Sequence, residues 1–355
     1  MALLFSFAAS WISPQKFWPL AFFGLAFPVF FVLNLLFAVY WLFVKRIYML
    51  VSLLPFIVGV FMPGSHLRFN KAAEENNNSN SIRVLTYNVN AYERDQWKGN
   101  NHFPHTTAFM EFFREEEPDI LFLQEHLAYD DIEREIREEI QNSTGQTHYY
   151  LKKYYNTFET SQCIGIFSKH PFVRHGFKQS QFRERERTYF VFADIALPTD
   201  TVRAYSVHLQ SNYLKKEGEL FTKSPDITNR DYQKLLHEQT MSLTRKLKYA
   251  FQHRAVQVDE LVAHIKDSPY PVILGGDFND TPGSYTYSRI NKLLKDSYRK
   301  RSAGKRYTYY GDFPSFRIDY IFHDNILEAS NTRIVEHPYS DHYPVVTQLK
   351  MNTKP

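Results

Sequence analysis

The chain divides into two regions by its pattern of apolar and polar residues. Residues 17–44 are almost continuously apolar, and Asn34 is the only strongly polar residue among them. This run exceeds the roughly 20 residues that a helix needs to cross a bilayer. A second apolar segment, residues 47–62, follows the basic pair at 45–46. The pattern predicts an N-terminal membrane region over residues 1–65, with a transmembrane hairpin of helices at about 17–44 and 47–62.

The flanks of these segments bear on how the region sits in a membrane. A cleaved signal peptide is disfavoured, because the start of the chain lacks charged side chains and the apolar part is too long. A buried helix pair in a soluble protein remains the alternative. Lys45 and Arg46 favour a cytoplasmic loop, whereas Lys16, Arg68 and Lys71 lie on the opposite side. We expect a multi-pass membrane protein that contacts lipid through these helices, with the rest of the chain on the non-cytoplasmic side.

The remainder of the chain has the pattern of a soluble α/β domain. A polar linker is predicted over residues 66–81, followed by one domain over 82–355. Apolar runs predict strands at 83–89, 119–123, 163–167, 189–196, 202–209, 271–274, 317–322 and 344–349. Helical spacing of apolar residues predicts helices at 105–114, 132–140 and 229–266. Strands with interspersed helices favour α/β layers built on a mixed sheet.

Composition adds two constraints. The formal net charge of the 355 residues is +4, which implies no strong general attraction to polyanions. Cys163 is the only cysteine, so an intrachain disulfide is excluded. Its apolar neighbours predict a buried thiol.

Polar residues recur where the apolar strands end. The most informative stretch is Pro271-Val-Ile-Leu-Gly-Gly-Asp-Phe-Asn-Asp280, which opens as a buried strand and places Asp277 and Asn279 two residues apart. In extended chain such residues project from the same face, an arrangement suited to holding a water molecule. Other strands end in or contain Asn88, Glu125, His208, Asp319, Asp341 and His342.

A turn or a solvated strand end would explain any one of these residues. Their recurrence within one domain favours a functional site, because buried carboxylates are costly unless they are paired or bound to metal. Oxygen ligands without a Cys/His cluster favour Mg²⁺, or Mn²⁺, over zinc. A metal ligand, two histidines and a water-holding Asp/Asn pair are what the hydrolysis of a phosphate ester requires.

The motifs that carry these residues, in this order, resemble the endonuclease/exonuclease/phosphatase superfamily. They are Thr-Tyr-Asn-Val-Asn, Leu-Gln-Glu, Val-His-Leu-Gln-Ser, Gly-Asp-Phe-Asn-Asp, Arg-Ile-Asp-Tyr-Ile and Ser-Asp-His-Tyr-Pro-Val. The resemblance covers about residues 82–351 and implies a four-layer αββα sandwich of two mixed β-sheets flanked by helices. A membrane hairpin before this domain is similar to bacterial members, which implies the bacterial inner membrane.

The resemblance also implies roles for the residues at the strand ends. Glu125 is expected to be the principal Mg²⁺ ligand, with Asn88 beside it and Asp341 near the metal. Asp277 and Asn279 are expected to position the attacking water and the phosphate. His342, held by Asp319, would contact the scissile phosphate. His208 is a candidate general acid, and His208, Asn279 and Ser211 would contact the substrate. Whether Asp277 or His342 acts as the base stays open at this point.

Two features of the pattern are less specific. Asn90 stands where several family nucleases have Asp, which removes one negative charge from the implied metal site. Arg183, Arg185 and Arg187 either reach phosphate or form a solvated basic loop.

The substrate class remains open between nucleic acid and the phosphate esters of phospholipid head groups. A phosphodiesterase with endonuclease-like action is the first expectation, and a sphingomyelinase- or inositol phosphatase-like enzyme is the second. A non-catalytic membrane-tethered binding protein on the same fold is the third. No obligate protein partner is expected.

Overall fold

A computed structural model describes residues 1–61, 81–93, 106–128, 130–154, 162–182, 185–212, 230–299, 302–310 and 315–351. The predicted linker at 66–81 lies outside the described residues except for Ser81, as does Arg183.

Five helices form the N-terminal region: α1 (Ala2–Ala9), α2 (Pro14–Phe17), α3 (Pro19–Leu25), α4 (Phe27–Val44) and α5 (Arg46–Phe61). Proline near the start of a helix fits because its missing N–H has no partner there anyway. Pro14, Pro19 and Pro28 take this position in α2, α3 and α4. The apolar run at 17–44 is therefore broken twice, and the long helix predicted from Phe17 begins at Phe27.

Of the helices that the structure describes, α4 alone is long and apolar enough to span a bilayer. Its large side chains, including Leu36 and Phe43, are exposed, so it is not the core helix of a soluble domain. A membrane anchor and a signal sequence both have these properties. The neighbouring α5 is shorter, begins at Arg46 and contains Pro55. The multi-pass topology predicted from the sequence is not supported, because α5 is too short for a second span of the expected length.

Residues from 81 onward form two β-sheets. The first has the strand order β10-β12-β13-β1-β2-β4-β3 and the second has β5-β6-β7-β8-β11-β9. The strands are β1 (Ser81–Asn88), β2 (Ile120–Leu127), β3 (His148–Lys153), β4 (Gln162–Ser168), β5 (Phe172–Phe182), β6 (Arg185–Ala196), β7 (Thr201–His208), β8 (Val272–Asp277), β9 (Lys295–Asp296), β10 (Ser302–Gly304), β11 (Asp319–His323), β12 (Leu327–Ile334) and β13 (Val345–Met351). Both sheets are mixed, since β1–β2 and β7–β8 are parallel pairs among antiparallel neighbours.

Helices cover the outer face of each sheet. They are α6 (Asn90–Glu93), α7 (Thr106–Glu116), α8 (Asp130–Thr144), α9 (Arg230–Lys266) and α10 (Tyr285–Asn291), with a 3₁₀ turn at Ser297–Arg299. Buried side chains such as Phe122 and Ile273 fill the space between the sheets. Separate clusters pack α7 and α8 on the first sheet and α9 and α10 on the second. This arrangement confirms the predicted four-layer sandwich.

Candidate active site

The site lies where the central parallel strands of the two sheets end side by side. In the first sheet, Asn88 of β1 is level with Gln124 of β2. In the second sheet, His208 of β7 and Asp319 of β11 are both level with Asp277 of β8. Because the sheets face each other, these strand ends bring residues distant in sequence to one point.

Local backbone conformation turns several side chains into the site. Asn90, Glu125 and Asn279 have φ values of 43°, 53° and 51°, in the left-handed region that non-glycine residues rarely adopt. Glu125 also lies in an irregularity of the β2–β4 pairing, between Leu123 and His126. Such strain is typical of functional positions, where the surrounding structure enforces it. At Gly276, φ is 148° and a Cβ would collide with the backbone of Val207, so only glycine fits before Asp277.

Asp277 is the central hydrogen-bond acceptor of the site. Its carboxylate is almost fully buried, and its Oδ2 accepts hydrogen bonds from Asn279 Nδ2 at 3.0 Å and Asn88 Nδ2 at 3.1 Å. The backbone N–H of Asn279 donates to Oδ1 at 2.8 Å. Two histidines approach Oδ2 as well, with Nε2 of His208 at 3.6 Å and Nε2 of His342 at 3.8 Å. Burial, together with the charge of Asp319, raises the pKa of Asp277 to about 7.

Glu125 is a partly exposed carboxylate beside Asp277, with a side chain that is 24% exposed. Its Oε1 accepts from Asn88 Nδ2 at 3.2 Å, and its Oε2 accepts from Gln162 Nε2 at 3.0 Å. Asn88 therefore bridges Glu125 and Asp277 through one amide. Nε2 of His208 lies 3.8 Å from Oε1.

His342 forms a buried pair with Asp319. Its Nδ1 lies 2.9 Å from Asp319 Oδ2, and Tyr309 packs edge-on against its ring. Burial lowers the pKa of His342, but the charges of Asp319 and Asp277 outweigh it and raise the pKa to about 10. The imidazole is thus protonated at neutral pH, so Nδ1 donates to Asp319 and Nε2–H faces Asp277.

His208 has the opposite electrostatic environment. Its Nδ1 lies 2.6 Å from the hydroxyl of Tyr154 and 3.4 Å from Nη2 of Arg187. The same hydroxyl accepts the backbone N–H of Glu125 at 2.8 Å, so its own proton is directed to Nδ1. Burial, and then the charge of Arg187, hold the pKa of His208 well below its usual value. The neutral ring therefore carries its proton on Nε2, facing the carboxylates of Asp277 and Glu125.

Sequence reasoning did not place Tyr154 in the site, and it left Arg187 open between a phosphate contact and a solvated basic loop. β6 begins before the predicted Tyr189, so Arg187 lies within a strand and is buried against the ring of Tyr154 at 4.8 Å. Its Nη1 has no hydrogen-bond partner among the described residues. A buried cation with a spare donor beside His208 is suited to an anionic ligand. Tyr154 follows an unremarkable Lys-Lys pair, and no sequence signal marks it.

Arg254 holds the loops that follow two of the site strands. This fully buried residue of α9 donates through Nη1 to the carbonyl of Gln210 at 2.7 Å and to Oδ1 of Asn212 at 2.9 Å. Its Nε donates to Asp280 Oδ2 at 3.2 Å. Ser211, predicted as a substrate contact, therefore lies in a loop fixed next to Asn279.

Asp341 lies next to His342, and its charge adds to the rise in the pKa of that histidine. Its carbonyl accepts from the N–H of Tyr310 at 3.2 Å. Cys163 is buried, as predicted, and burial raises the pKa of its thiol.

The donor set fits a hard divalent cation. Carboxylate and amide oxygens predominate at Glu125, Asn88 and Asp277. Ligand atoms of Asp277, Asp319 and His342 also lie within 4.8 Å of one another, but a protonated His342 has no lone pair for a metal, so the cation is better held at Glu125. Oδ1 of Asp319 is buried without a hydrogen-bond partner among the described residues. Glu125 offers a third carboxylate, which is 24% exposed and shares the amide of Asn88 with Asp277.

Comparison with known proteins defines the class of this fold and site. Residues 85–342 match the model of the Endonuclease/Exonuclease/phosphatase family. The chain belongs to this family, whose members hydrolyse phosphate esters and generally depend on divalent metal ions. Residues 1–66 match a family described as a Domain of unknown function (DUF8431). No curated protein matches the chain.

Solved structures share the fold at low sequence identity. An endonuclease/exonuclease/phosphatase family protein from Bacteroides thetaiotaomicron is 16% identical, with a TM-score of 0.53 over 76% of this chain and 94% of its own. The human Nocturnin catalytic domain with bound sulfate is 14% identical, with a TM-score of 0.52 over 78% and 96%. Humanized D. rerio TDP2 is 15% identical, with a TM-score of 0.51 over 77% and 99%.

Proposed function

We propose that this protein is a Mg²⁺-dependent phosphodiesterase anchored to the bacterial inner membrane by α4. With α4 as the span, Lys45 and Arg46 lie on the same side as the catalytic domain, so the positive-inside tendency favours the cytoplasmic side over the non-cytoplasmic side expected from a hairpin. The observation that carries the enzymatic proposal is the convergence on Asp277 of two amides and two histidines, beside the accessible carboxylate of Glu125. Residues from separate strands are held there by buried hydrogen bonds, and such pre-organisation is what catalysis requires.

The metal would be held by Glu125 with Asn88 beside it, and Asp341 is the further acidic group assigned near it. When bound, the cation would neutralise the phosphoryl oxygens and polarise the phosphorus toward attack. Asn88 Nδ2 already contacts both Glu125 and Asp277, so the amide sets the spacing between the metal ligand and the water-positioning group.

The attacking water is assigned to Asp277 and Asn279. Asp277, with a pKa of about 7, is poised to accept a proton near neutral pH, whereas His342 is already protonated. This contrast favours Asp277 over His342 as the base. His342, held by Asp319, then contributes positive charge and a hydrogen bond to a phosphoryl oxygen.

His208 and Arg187 are the remaining groups assigned to bind the anionic phosphate. Neutral His208 is a weak proton donor, so the structure favours hydrogen bonding from Nε2–H to a phosphoryl oxygen over transfer of that proton to the leaving group. Arg187 supplies the permanent charge beside it, and Ser211 and Asn279 supply further polar contacts from the loops held by Arg254.

The test uses the full chain in detergent with bis(4-nitrophenyl) phosphate as a generic soluble diester. We expect turnover that requires Mg²⁺ and stops on addition of EDTA. Asp277→Ala and His342→Ala should each lower kcat/KM by about three orders of magnitude or more. Asp259→Ala, at an acidic residue that pairs with Arg289 on the outer helices, is the matched control. Equal rates for Asp277→Ala and Asp259→Ala would contradict the assignment.

Orientation is tested separately. A reporter at the C-terminus that requires the cytoplasm should be active in the full chain, because a single span leaves Lys45 and Arg46 on that side. Signal from a reporter that is active only outside the cytoplasm would reverse the assigned topology without affecting the enzymatic proposal.

A further inference from the structure

A left-handed turn follows β1 directly. Asn90, Ala91 and Tyr92 have φ values of 43°, 53° and 59°. L-amino acids visit this conformation mainly as single residues, because their Cβ comes close to the following carbonyl oxygen. A run of such residues without glycine must be held by contacts outside the turn. The neighbouring strand end has the same backbone conformation at Glu125, where φ is 53°.

A buried hydrogen bond joins this turn to the segment of Glu125. The hydroxyl of Tyr92 lies 2.6 Å from Nδ1 of His126, the residue that follows Glu125. Both side chains are fully buried. The N–H of Tyr92 also donates to the carbonyl of Val89 at 2.6 Å, which closes the turn itself. The strained turn after β1 and the strained residue near the end of β2 are thus fixed to each other.

The turn also orients the side chain of Asn88. The N–H of Asn90 donates to Asn88 Oδ1 at 3.1 Å, while Nδ2 of the same amide donates to Glu125 and Asp277. Reversing the amide would place its oxygen against two carboxylates and its N–H groups against the N–H of Asn90. The position of the Asn90 N–H therefore makes Asn88 a donor to both carboxylates.

These contacts form a closed ring across the ends of β1 and β2. The chain from Asn88 to Tyr92 is one side of the ring, and Glu125 with His126 is the other. The Asn88–Glu125 hydrogen bond closes one end, and the Tyr92–His126 hydrogen bond closes the other. Loss of the Tyr92–His126 bond opens the ring, so the strained turn can relax away from Asn88.

Packing alone does not explain the Tyr92–His126 pair. Nε2 of His126 is buried without a hydrogen-bond partner among the described residues. Apolar side chains of similar shape would fill this space without leaving a polar atom unpaired, and replacing both partners in this way is often neutral or stabilising. The pair is therefore better explained by what it positions than by the stability that it contributes.

We infer that Tyr92 and His126 are positioning residues that hold Asn88 and Glu125 in the geometry that binds the divalent cation. Tyr92 acts through the turn at 90–92, and His126 acts through the backbone of Glu125. The inference rests on the proposed metal-dependent activity. Removing a group that orients metal ligands typically lowers metal affinity or activity by about tenfold to a hundredfold.

The first test measures metal binding without turnover. The full chain in detergent is titrated with Mn²⁺, which takes the same oxygen ligands as Mg²⁺, and the free ion is followed by EPR. The Kd of Tyr92→Phe should be about tenfold or more above that of wild type. A Kd equal to that of wild type would overturn the inference.

The matched control removes a hydroxyl from another tyrosine–histidine pair. The hydroxyl of Tyr205, a buried residue of β7, lies 2.7 Å from Nδ1 of His264. This pair lies between the second sheet and α9, away from Glu125. The Kd of Tyr205→Phe for Mn²⁺ should stay within about twofold of wild type, as expected for an independent position. A Kd raised as far as in Tyr92→Phe would overturn the specific role of Tyr92.

The second test separates positioning from packing. Tyr92→Phe/His126→Leu removes both polar partners, so no polar group of the pair is left buried alone. The midpoint of chemical denaturation should be at or above that of Tyr92→Phe. The Kd for Mn²⁺ should nevertheless stay about tenfold or more above wild type, because the ring remains open. A double variant that regains the wild-type Kd would show that only packing matters and would overturn the inference.

The outcomes separate this inference from the proposed function. Weaker Mn²⁺ binding in both Tyr92 variants, without turnover of bis(4-nitrophenyl) phosphate by wild type, overturns the phosphodiesterase proposal and leaves the positioning role standing. Turnover by wild type with an unchanged Kd in Tyr92→Phe overturns the positioning role alone. Absence of Mn²⁺ binding by wild type overturns both.

Discussion

His208 and His342 approach the same carboxylate oxygen of Asp277 from opposite sides of the site, yet they differ in charge. His342 pairs with Asp319, and the neighbouring carboxylates raise its pKa to about 10. His208 faces Tyr154 and Arg187 through Nδ1, and burial with the charge of Arg187 lowers its pKa. The two imidazoles lie at similar distances from one carboxylate of Asp277. They differ in charge because different groups contact Nδ1, the nitrogen that faces away from Asp277.

The comparison teaches that the residues behind the histidines define the site as much as the histidines do. A carboxylate behind Nδ1 makes a cationic donor for developing negative charge. Burial and a guanidinium behind Nδ1 keep the ring neutral, and the hydroxyl that donates to Nδ1 fixes the proton on Nε2. Each prediction below alters one side of this contrast.

Asp319→Asn should have the largest effect. Without the Asp319 charge and its hydrogen bond, only the charges of Asp277 and Asp341 oppose the effect of burial, so the pKa of His342 should fall. We expect kcat/KM to fall by about three orders of magnitude, as for other histidines that lose an orienting carboxylate. The alkaline limit of the kcat/KM profile, set near pH 10 by His342 in wild type, should move to lower pH. A profile whose alkaline limit matches wild type would contradict the role of Asp319.

The His208 variants should rank next and test its neutral state. His208→Ala should lower kcat/KM by about two orders of magnitude through loss of one hydrogen-bond donor to the transition state. His208→Gln retains an N–H donor and should recover much of that loss. If Gln is as inactive as Ala toward a diester with a poor leaving group, His208 acts as a general acid and the structural interpretation is wrong.

Arg187 should contribute through its charge. Arg187→Met preserves much of the side-chain volume but removes the cation, so we expect kcat/KM to fall by about tenfold or more, as when a charge-assisted hydrogen bond is lost. Arg187→Lys should lie between Met and wild type, because a lysine cannot use the forked donor geometry. The matched control is Arg203→Met, which removes a buried arginine paired with Asp194 away from the site. Steady-state kinetics of the three variants measure these changes in kcat/KM. If kcat/KM falls as far in Arg203→Met as in Arg187→Met, the effect of Arg187→Met is structural.

Tyr154→Phe should have the smallest effect on catalysis. It leaves the N–H of Glu125 and Nδ1 of His208 without the shared hydroxyl. We expect a fall in kcat/KM of a few-fold and a loss of about 1–3 kcal/mol in the free energy of unfolding, as for a buried group left without its partner. Chemical denaturation alongside kinetics measures both. Unchanged stability would show that the hydroxyl does not hold these groups.

The sequence predicts the central strands of the two sheets better than the strands nearer the sheet edges. The long apolar runs of β1, β2, β7 and β8 predict buried strands, and the polar residues at their ends follow from the same pattern. Strands such as β3 (His148–Lys153) and β12 (Leu327–Ile334) were not predicted, because their alternating polar residues resemble loop sequence. Their pairing with neighbours supplies what local pattern does not.

The site shows the same division. The structure brings together the residues that stand in recognisable motifs. They are Asn88, Glu125, His208, Asp277, Asn279, Asp319 and His342. Tyr154 reaches the site only through packing between strands far apart in sequence, so no local signal marks it. Arg187 stands in a basic run that fits a phosphate contact or a solvated loop equally well, and only the pairing of β6 shows that it is buried. Pro19 and Pro28 mark the breaks at Trp18 and Ala26, but proline is also tolerated within membrane helices, so the apolar run predicts one long helix.

The charge states of the two histidines are best tested by ¹⁵N NMR of the full chain in detergent at pH 7.5, with signals assigned by comparison with His208→Gln and His342→Gln. The account predicts protons on both nitrogens of His342 and a single proton, on Nε2, for His208. A neutral His342 or a doubly protonated His208 would contradict it.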